Sequence, residues 1–179
     1  MNVFCVVSSI APKLPQLFFN SANNIVILLT HCPLMQGACG MMNQPKGYIS
    51  RARELAKRYN ILLIFDEVAT GFGRTGRMFA CEHESITPDL LCLAKGLSAG
   101  YLPLAATLAT EEIYETFLGR YEELKAFFHG HTYTANPLAC AVSKSNLELF
   151  KRACVLEKLA PKIQFLDEEL ERFKLLSHV

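Results

Sequence analysis

The chain has no run of basic residues long enough to track a phosphate backbone, no CxxC pair, and no apolar stretch long enough to span a bilayer. Each absence removes a class of function. With 18 Lys and Arg against 17 Asp and Glu the formal charge is only +1, so no nucleic-acid partner is expected. The seven cysteines (Cys5, Cys32, Cys39, Cys81, Cys92, Cys140 and Cys154) form an odd set without redox spacing. They sit mostly inside apolar stretches, as small hydrophobes do, and reduced thiols in a cytoplasmic protein are expected. Residues 14–45 contain no Lys, Arg, Asp or Glu, but Asn20, Asn23, Asn24, His31 and Gln36 break that segment well short of a membrane span. No membrane association is expected. The short apolar run Val3 to Val7 has no basic residue before it, so secretion is not expected either. Internal repeats and low-complexity tracts are absent.

What is present suits one folded α/β domain. The 179 residues are 51% hydrophobic, 20% charged and 10% aromatic, and a chain of this size can bury roughly 70% of its unfolded surface. Residues 1–24 show no sustained period and stay unassigned. Ile25 to Leu29 has the length of a buried strand. From Gly47 to Tyr59 the apolar residues Ile49, Ala52, Leu55, Ala56 and Tyr59 recur at helical spacing. Ile61 to Phe65 is apolar on both faces of a strand, which implies a parallel sheet with helices on each side. Leu90 to Leu93 and Leu104 to Ala109 read as further strands, and Glu111 to Leu118 and Asn136 to Cys154 as helices. Pro161 suits the first turn of a last helix, whose stripe Ile163, Leu166, Leu170 and Phe173 lies opposite Asp167, Glu168, Glu171 and Lys174.

In open α/β sheets, ligands lie beyond the carboxyl ends of the strands, and Asp66 and Lys95 both fall at such ends. Asp66-Glu67 reads as an acid/base pair, as metal ligands or as two solvated charges at a strand end, the last being the commonest fate of such residues. Neighbours on a strand point to opposite faces, so only one can serve a given site. His129 and His131 alternate in the same way, and without a third ligand at suitable spacing no metal is expected. Gly71-Phe72-Gly73-Arg74-Thr75-Gly76 fits the G-x-G-x-x-G dinucleotide pattern, yet five residues separate it from the strand and Pro88 limits any helix behind it. A lone lysine is a surface residue by default. Lys95, however, stands between Leu90 to Leu93 and the small residues Gly96-Leu97-Ser98-Ala99-Gly100, where desolvation would favour a neutral, nucleophilic amine.

The stretch Ile64-Phe65-Asp66-Glu67-Val68-Ala69-Thr70-Gly71-Phe72-Gly73-Arg74-Thr75-Gly76, with Pro88-Asp89-Leu90 and Lys95-Gly96, resembles the class III (fold type I) pyridoxal-phosphate aminotransferases. Met78 to Glu84, Gly100 to Leu108 and Phe128 to Thr134 resemble the branch of that class serving biotin synthesis. That branch moves an amino group from S-adenosylmethionine to 8-amino-7-oxononanoate, giving 7,8-diaminononanoate. The resemblance covers about residues 33–179 and implies part of the fold type I large domain, a mostly parallel sheet flanked by helices, over 25–157. The start of the C-terminal small domain would follow at 158–179.

It also implies site roles. Lys95 would carry pyridoxal 5'-phosphate on its amine and move the substrate proton. Asp66 would accept from the pyridine nitrogen and Val68 would pack beneath the ring. Thr132 and the backbone of His131 would bind the cofactor phosphate of the neighbouring subunit, implying a homodimer. Gly130 would let substrate approach the backbone, a role a plain turn glycine imitates, and Arg74 would be structural.

Family members are more than twice as long, and their upstream Gly-Ser loop, stacking Tyr and downstream carboxylate-binding Arg have no counterpart here. Cys32 replaces the usual Glu before Pro33, and Ala135 the usual Gly before Asn136-Pro137. A truncated or frame-shifted reading frame with little turnover of its own is therefore expected. The competing readings are an ω-amino acid or ornithine aminotransferase, often polar where Ala69 follows Asp-Glu-Val, and a non-catalytic chain that only associates with a partner.

Overall fold

A run of Leu, Ile and Phe too short for a free-standing helix gains most by lying inside a sheet, and Leu62-Leu63-Ile64-Phe65 does so. In a computed structural model, residues 2–4, 27–31, 34–37, 40–128 and 130–176 are described. The strands are β1 (Asn2–Phe4), β2 (Ile27–His31), β3 (Met35–Gln36), β4 (Met42–Asn43), β5 (Leu62–Asp66), β6 (Leu90–Leu93) and β7 (Ala106–Ala109). The helices are α1 (Tyr48–Arg58), α2 (Glu111–Thr116), α3 (Pro137–Arg152) and α4 (Val155–Phe173), with 3₁₀ turns at Ala80–Glu84, Lys95–Ser98 and Tyr121–Glu123.

Five strands form one sheet in the order β1-β7-β6-β5-β2, and β3 pairs with β4 separately. β2, β5 and β6 run parallel, while β7 is antiparallel to both β6 and β1. Leu63 and Phe65 on β5 are fully buried in a cluster with Ile49, Ala52 and Ala56 of α1 and with Leu91 and Leu93 of β6. Each such large side chain contributes roughly 1.5–3 kcal/mol of transfer free energy. Leu62, Ile64 and Asp66, on the other face of β5, are only half-buried. The double-sided cover expected from the sequence is thus complete on one face and partial on the other, because α1 packs on the Leu63–Phe65 side. A smaller cluster joins Leu97, Leu104 and Ala106 to Ala139 of α3, and Phe72 packs against both clusters.

Element ends depart from the sequence reading for local reasons. Of the expected strand Ile25 to Leu29, residues 25 and 26 lie outside the described residues, and pairing with β5 carries the strand on to His31. β7 starts at Ala106 because Leu104, just past Pro103, packs into the smaller cluster. α2 stops at Thr116, whose hydroxyl donates back to the Ile113 carbonyl at 2.6 Å. At α3, Asn136 caps as its type favours, its Oδ1 accepting from the amides of Leu138 and Ala139 with Pro137 in the first turn.

Pro161 does not open a helix. It lies inside α4, because the backbone break falls earlier, at Cys154 with φ 48°, and the six residues before Pro161 are already helical. Pro161 lacks the amide that would bond to the Glu157 carbonyl. Packing offsets that loss: a Cβ on Gly73 would stand 3.1 Å from Leu159 and one on Gly76 3.0 Å from Ile163, so α4 lies directly on these glycines. α4 also runs unbroken across positions 157 and 158. Its stripe Ile163, Leu166, Leu170 and Phe173 is 39%, 55%, 49% and 52% exposed, so no described residue covers it fully. None of the helices among the described residues is long and apolar enough to cross a membrane.

Candidate functional site

Two adjacent parallel strands place charged residues at or just past their carboxyl ends, Asp66 on β5 and Lys95 after β6, although Asp66 does not line the cavity that Lys95 lines. The register pairs Asp66, the last residue of β5, with Cys92, and Lys95 is the second residue after β6 ends. The Glu67 amide donates to the Cys92 carbonyl at 2.9 Å, which carries the pairing one step past β5.

Asp66 and Glu67 then diverge, as strand geometry requires. Glu67 is fully buried and accepts from the amides of Ala80 at 2.6 Å and Cys81 at 2.8 Å. Burial raises its pKa, against the lowering effect of those two amides and the Cys81 thiol. Burial and the neighbouring Glu67 carboxylate push the Cys81 thiol up to about 12. Asp66 stays half-buried, its Oδ1 accepting from the Val68 amide at 3.0 Å. Burial likewise raises the Cys92 thiol, with the Thr107 hydroxyl opposing and the Asp66 charge adding. Among the described residues, Asp66 is therefore the member of the pair at the open end of the sheet, and Glu67 anchors the loop behind it.

The glycine-rich loop is closed on itself. The Gly71 amide donates to the Glu67 carbonyl, Phe72 to Met78, Gly73 to Arg77 and Gly76 to Gly73, at 2.7–3.1 Å. These amides are occupied, and only the short turn Ala80–Glu84 follows, so the G-x-G-x-x-G match is not a dinucleotide cradle.

Lys95 opens the turn Lys95–Ser98 in the left-handed region, at φ 42°. Gly96 is needed there, since a Cβ would stand 2.7 Å from the Phe72 Cβ. The desolvation expected from the sequence is absent: Lys95 is exposed, because its small neighbours leave the amine uncovered. With Val68, Phe72, Arg74, Val155 and Leu159 it lines an open cavity of about 370 Å³. Asn146, half-buried on α3, donates its side-chain amide to the carbonyls of Gly96 at 2.8 Å and Leu97 at 3.1 Å. Sequence reading missed Asn146; its one signal is a weak helix former in mid-helix.

The remaining candidates stand apart. Gly130, His131 and Thr132 are exposed and do not line that cavity. Thr134 closes this loop, its hydroxyl accepting from the His131 amide at 2.8 Å and its amide donating to the His131 carbonyl at 2.9 Å. The Tyr133 amide donates to His131 Nδ1 at 3.1 Å. His129 lies outside the described residues. Among the described residues no three His, Cys, Asp or Glu side chains gather as a metal site would need.

The family model described as aminotransferase class-III matches residues 8–179. The chain belongs to the class III aminotransferases. The match begins well upstream of Pro33, in a stretch without a recognisable motif. Among its relatives, the adenosylmethionine-8-amino-7-oxononanoate aminotransferase of Geobacter sulfurreducens is 57% identical over 147 residues, 82% of this chain and 32% of the relative. The protein of the same name from Aquifex aeolicus is 53% identical over 159 residues, 89% of this chain and 35% of the relative. Among solved structures, that of adenosylmethionine-8-amino-7-oxononanoate aminotransferase from Methanocaldococcus jannaschii matches with a TM-score of 0.78 at 48% identity, over 86% of this chain and 35% of that one. The chain thus spans about a third of the length of the curated relatives it matches.

Proposed function

We propose that this chain carries the lysine-bearing core of a pyridoxal-phosphate-dependent aminotransferase, moving an amino group from S-adenosylmethionine to 8-amino-7-oxononanoate to give 7,8-diaminononanoate. The observation that carries the reading is the placement of Lys95 and Val68 on one cavity beyond the carboxyl ends of two parallel strands, with Asp66 closing β5. The relatives named for this reaction share 53–57% of their matched residues with the chain. An omega-amino acid–pyruvate aminotransferase from Pseudomonas putida shares 40%, which supports the adenosylmethionine reading over the alternative.

The residues present suit the cofactor. A cavity of about 370 Å³ is within the size range of small-ligand sites, and a primary amine opens onto it. When bound, pyridoxal phosphate would supply an electron sink for the carbanion left when substrate loses its Cα proton. Lys95 would hold the cofactor through its amine and then, freed, take that proton and return it to the cofactor's C4′. Asp66 would keep a proton on the ring nitrogen, and Val68 would support the ring from below.

Gly130, His131 and Thr132 would serve a partner subunit's site, the phosphate going to Thr132 and to the His131 amide once Thr134 releases it. This requires a homodimer with shared sites, in the cytoplasm. Residues 158–179 would open the small domain, with α4 running into it. Because Lys95 is exposed, the desolvation that activates its amine must come from groups beyond this chain's described residues.

The test is a visible spectrum of the purified chain with added pyridoxal phosphate, followed by borohydride reduction and peptide mass mapping. Label confined to Lys95 is the expected result. A chain shown folded by circular dichroism that takes no label overturns the reading and leaves an associating, non-catalytic member of the class.

A further inference from the structure

The turn Lys95–Ser98 has a conformation that its own residues do not favour. A lysine at φ 42° costs about 1 kcal/mol or more against ordinary backbone, and a four-residue turn cannot satisfy its own carbonyls. Within the turn, Leu97 donates to the Ala94 carbonyl at 2.9 Å and Ala99 to that of Gly96 at 3.3 Å, both ordinary turn bonds. Ser98 is turned away, its hydroxyl donating to the Leu102 carbonyl at 2.6 Å. The Gly96 carbonyl, already accepting from Ala99, and the Leu97 carbonyl form a fork that points at α3 some fifty residues further along the chain. One side-chain amide, that of Asn146, bridges both.

From this bridge we infer that Asn146 is a positioning residue for Lys95: its amide clasps the Gly96 and Leu97 carbonyls, fixing the left-handed turn that presents the Lys95 amine to the cavity. The inference rests on the proposed role of Lys95. Geometry restricts the job to a short carboxamide. Asn146 is half-buried with both bonds directed at backbone, so a carboxylate there would face two carbonyl oxygens and repel them, and an apolar side chain would take this donor from both and leave Gly96 only its 3.3 Å bond from Ala99. The contact on the other side of the turn is steric, Phe72 against Gly96, and limits approach without fixing rotation. Asn146 therefore supplies the directional half of the restraint on Lys95, and Phe72 the non-directional half.

The test compares the full chain with Asn146→Ala, Asn146→Asp and Asn146→Gln, and with Ser145→Ala as a neighbouring exposed control. Two readouts are taken on each. The first is borohydride-trapped pyridoxal phosphate on Lys95, by mass mapping, as a function of cofactor concentration and pH. The second needs no cofactor: trace acetylation of all lysines with acetic anhydride across pH, which reports the reactivity of Lys95 relative to Lys57 and Lys144. Losing two neutral hydrogen bonds should weaken capture at Lys95 by roughly tenfold in Asn146→Ala and more in Asn146→Asp. The relative acetylation and pH profile of Lys95 should shift in both, with Asn146→Gln partly restoring the wild-type behaviour and Ser145→Ala matching it.

A merely structural Asn146 would lower the melting temperature while leaving both Lys95 readouts unchanged, and that result overturns the inference. If the wild-type chain traps no cofactor on Lys95, the proposed function fails, but acetylation still decides the point: an unshifted Lys95 profile in Asn146→Ala refutes the clasp, and a shifted one upholds it.

Discussion

The residues proposed for the site fall in two regions built in opposite ways. Asp66, Val68 and Lys95 hang from β5 and β6, where parallel pairing, the buried Glu67 anchor and the Asn146 clasp fix each position from a distance. Gly130, His131 and Thr132 sit on an exposed loop whose bonds close on itself, through Thr134 and the His131 ring. The first region is determined by long-range contacts inside the chain. In the second, the bonds of Thr134 and Tyr133 to His131 run within the loop, and the proposed shared site would draw on a second surface.

This contrast can be broken most strongly at β5. Phe65→Ala should cost about 3–5 kcal/mol in urea unfolding, because the side chain is fully buried between α1 and β6. A cost below about 1 kcal/mol would mean that the strand region does not hold the fold. Gly96→Ala should come next, at about 1–3 kcal/mol, since its Cβ collides with Phe72, and it should also displace Lys95 and lower cofactor capture. Replacing Glu84 by Gln should cost about 1 kcal/mol at neutral pH, because Glu84 accepts from the amides of Gly47 and Ser50 and so caps α1 from outside the helix.

The same carboxylates sharpen the contrast through pH. Burial alone would raise Glu84, but the Ser50 hydroxyl, the Ser50 and Gly47 amides and nearby Lys46 together hold it below its usual 4.5. Its contribution is present above 4.5 and lost as pH falls through the lowered value. Glu67 has the opposite sign: burial raises its pKa, so its contribution is complete below 4.5 and declines as pH rises through the raised value. Urea midpoints taken across pH should lose the first slope in Glu84→Gln and the second in Glu67→Gln. The smallest effect belongs to the loop. Thr132→Ala should change stability by less than about 0.5 kcal/mol while weakening cofactor binding, and a larger loss of stability would show that the loop is held by more than itself.

Much of the first region was legible in the sequence. The apolar runs at 62–65 and 90–93 announce buried strands, Asn136-Pro137 announces a helix start, and Asp66 and Lys95 follow from the strand ends. Partners separated by tens of residues were not legible. Arg53 shows it: its guanidinium bonds both oxygens of Asp89, which also accepts from the Leu63 amide at 2.7 Å, tying α1 to the starts of β5 and β6. No local pattern in either segment signals that pairing. Pro161 misled because a proline favours a first turn by local preference, whereas packing against Gly73 and Gly76 keeps it in mid-helix.

The sequence by itself determined the apolar strands β2, β5, β6 and β7, the start of α3, the motif residues and the family, because these depend on side-chain type and short spacing, whereas β1, β3 and β4 carry no such signal. Only the tertiary structure decided that Glu67 is an anchor while Asp66 faces outward, that Lys95 is exposed on a left-handed turn, and that Asn146 holds that turn. Burial and hydrogen-bond partnership are properties of neighbours in space, and a chain acquires those neighbours only by folding.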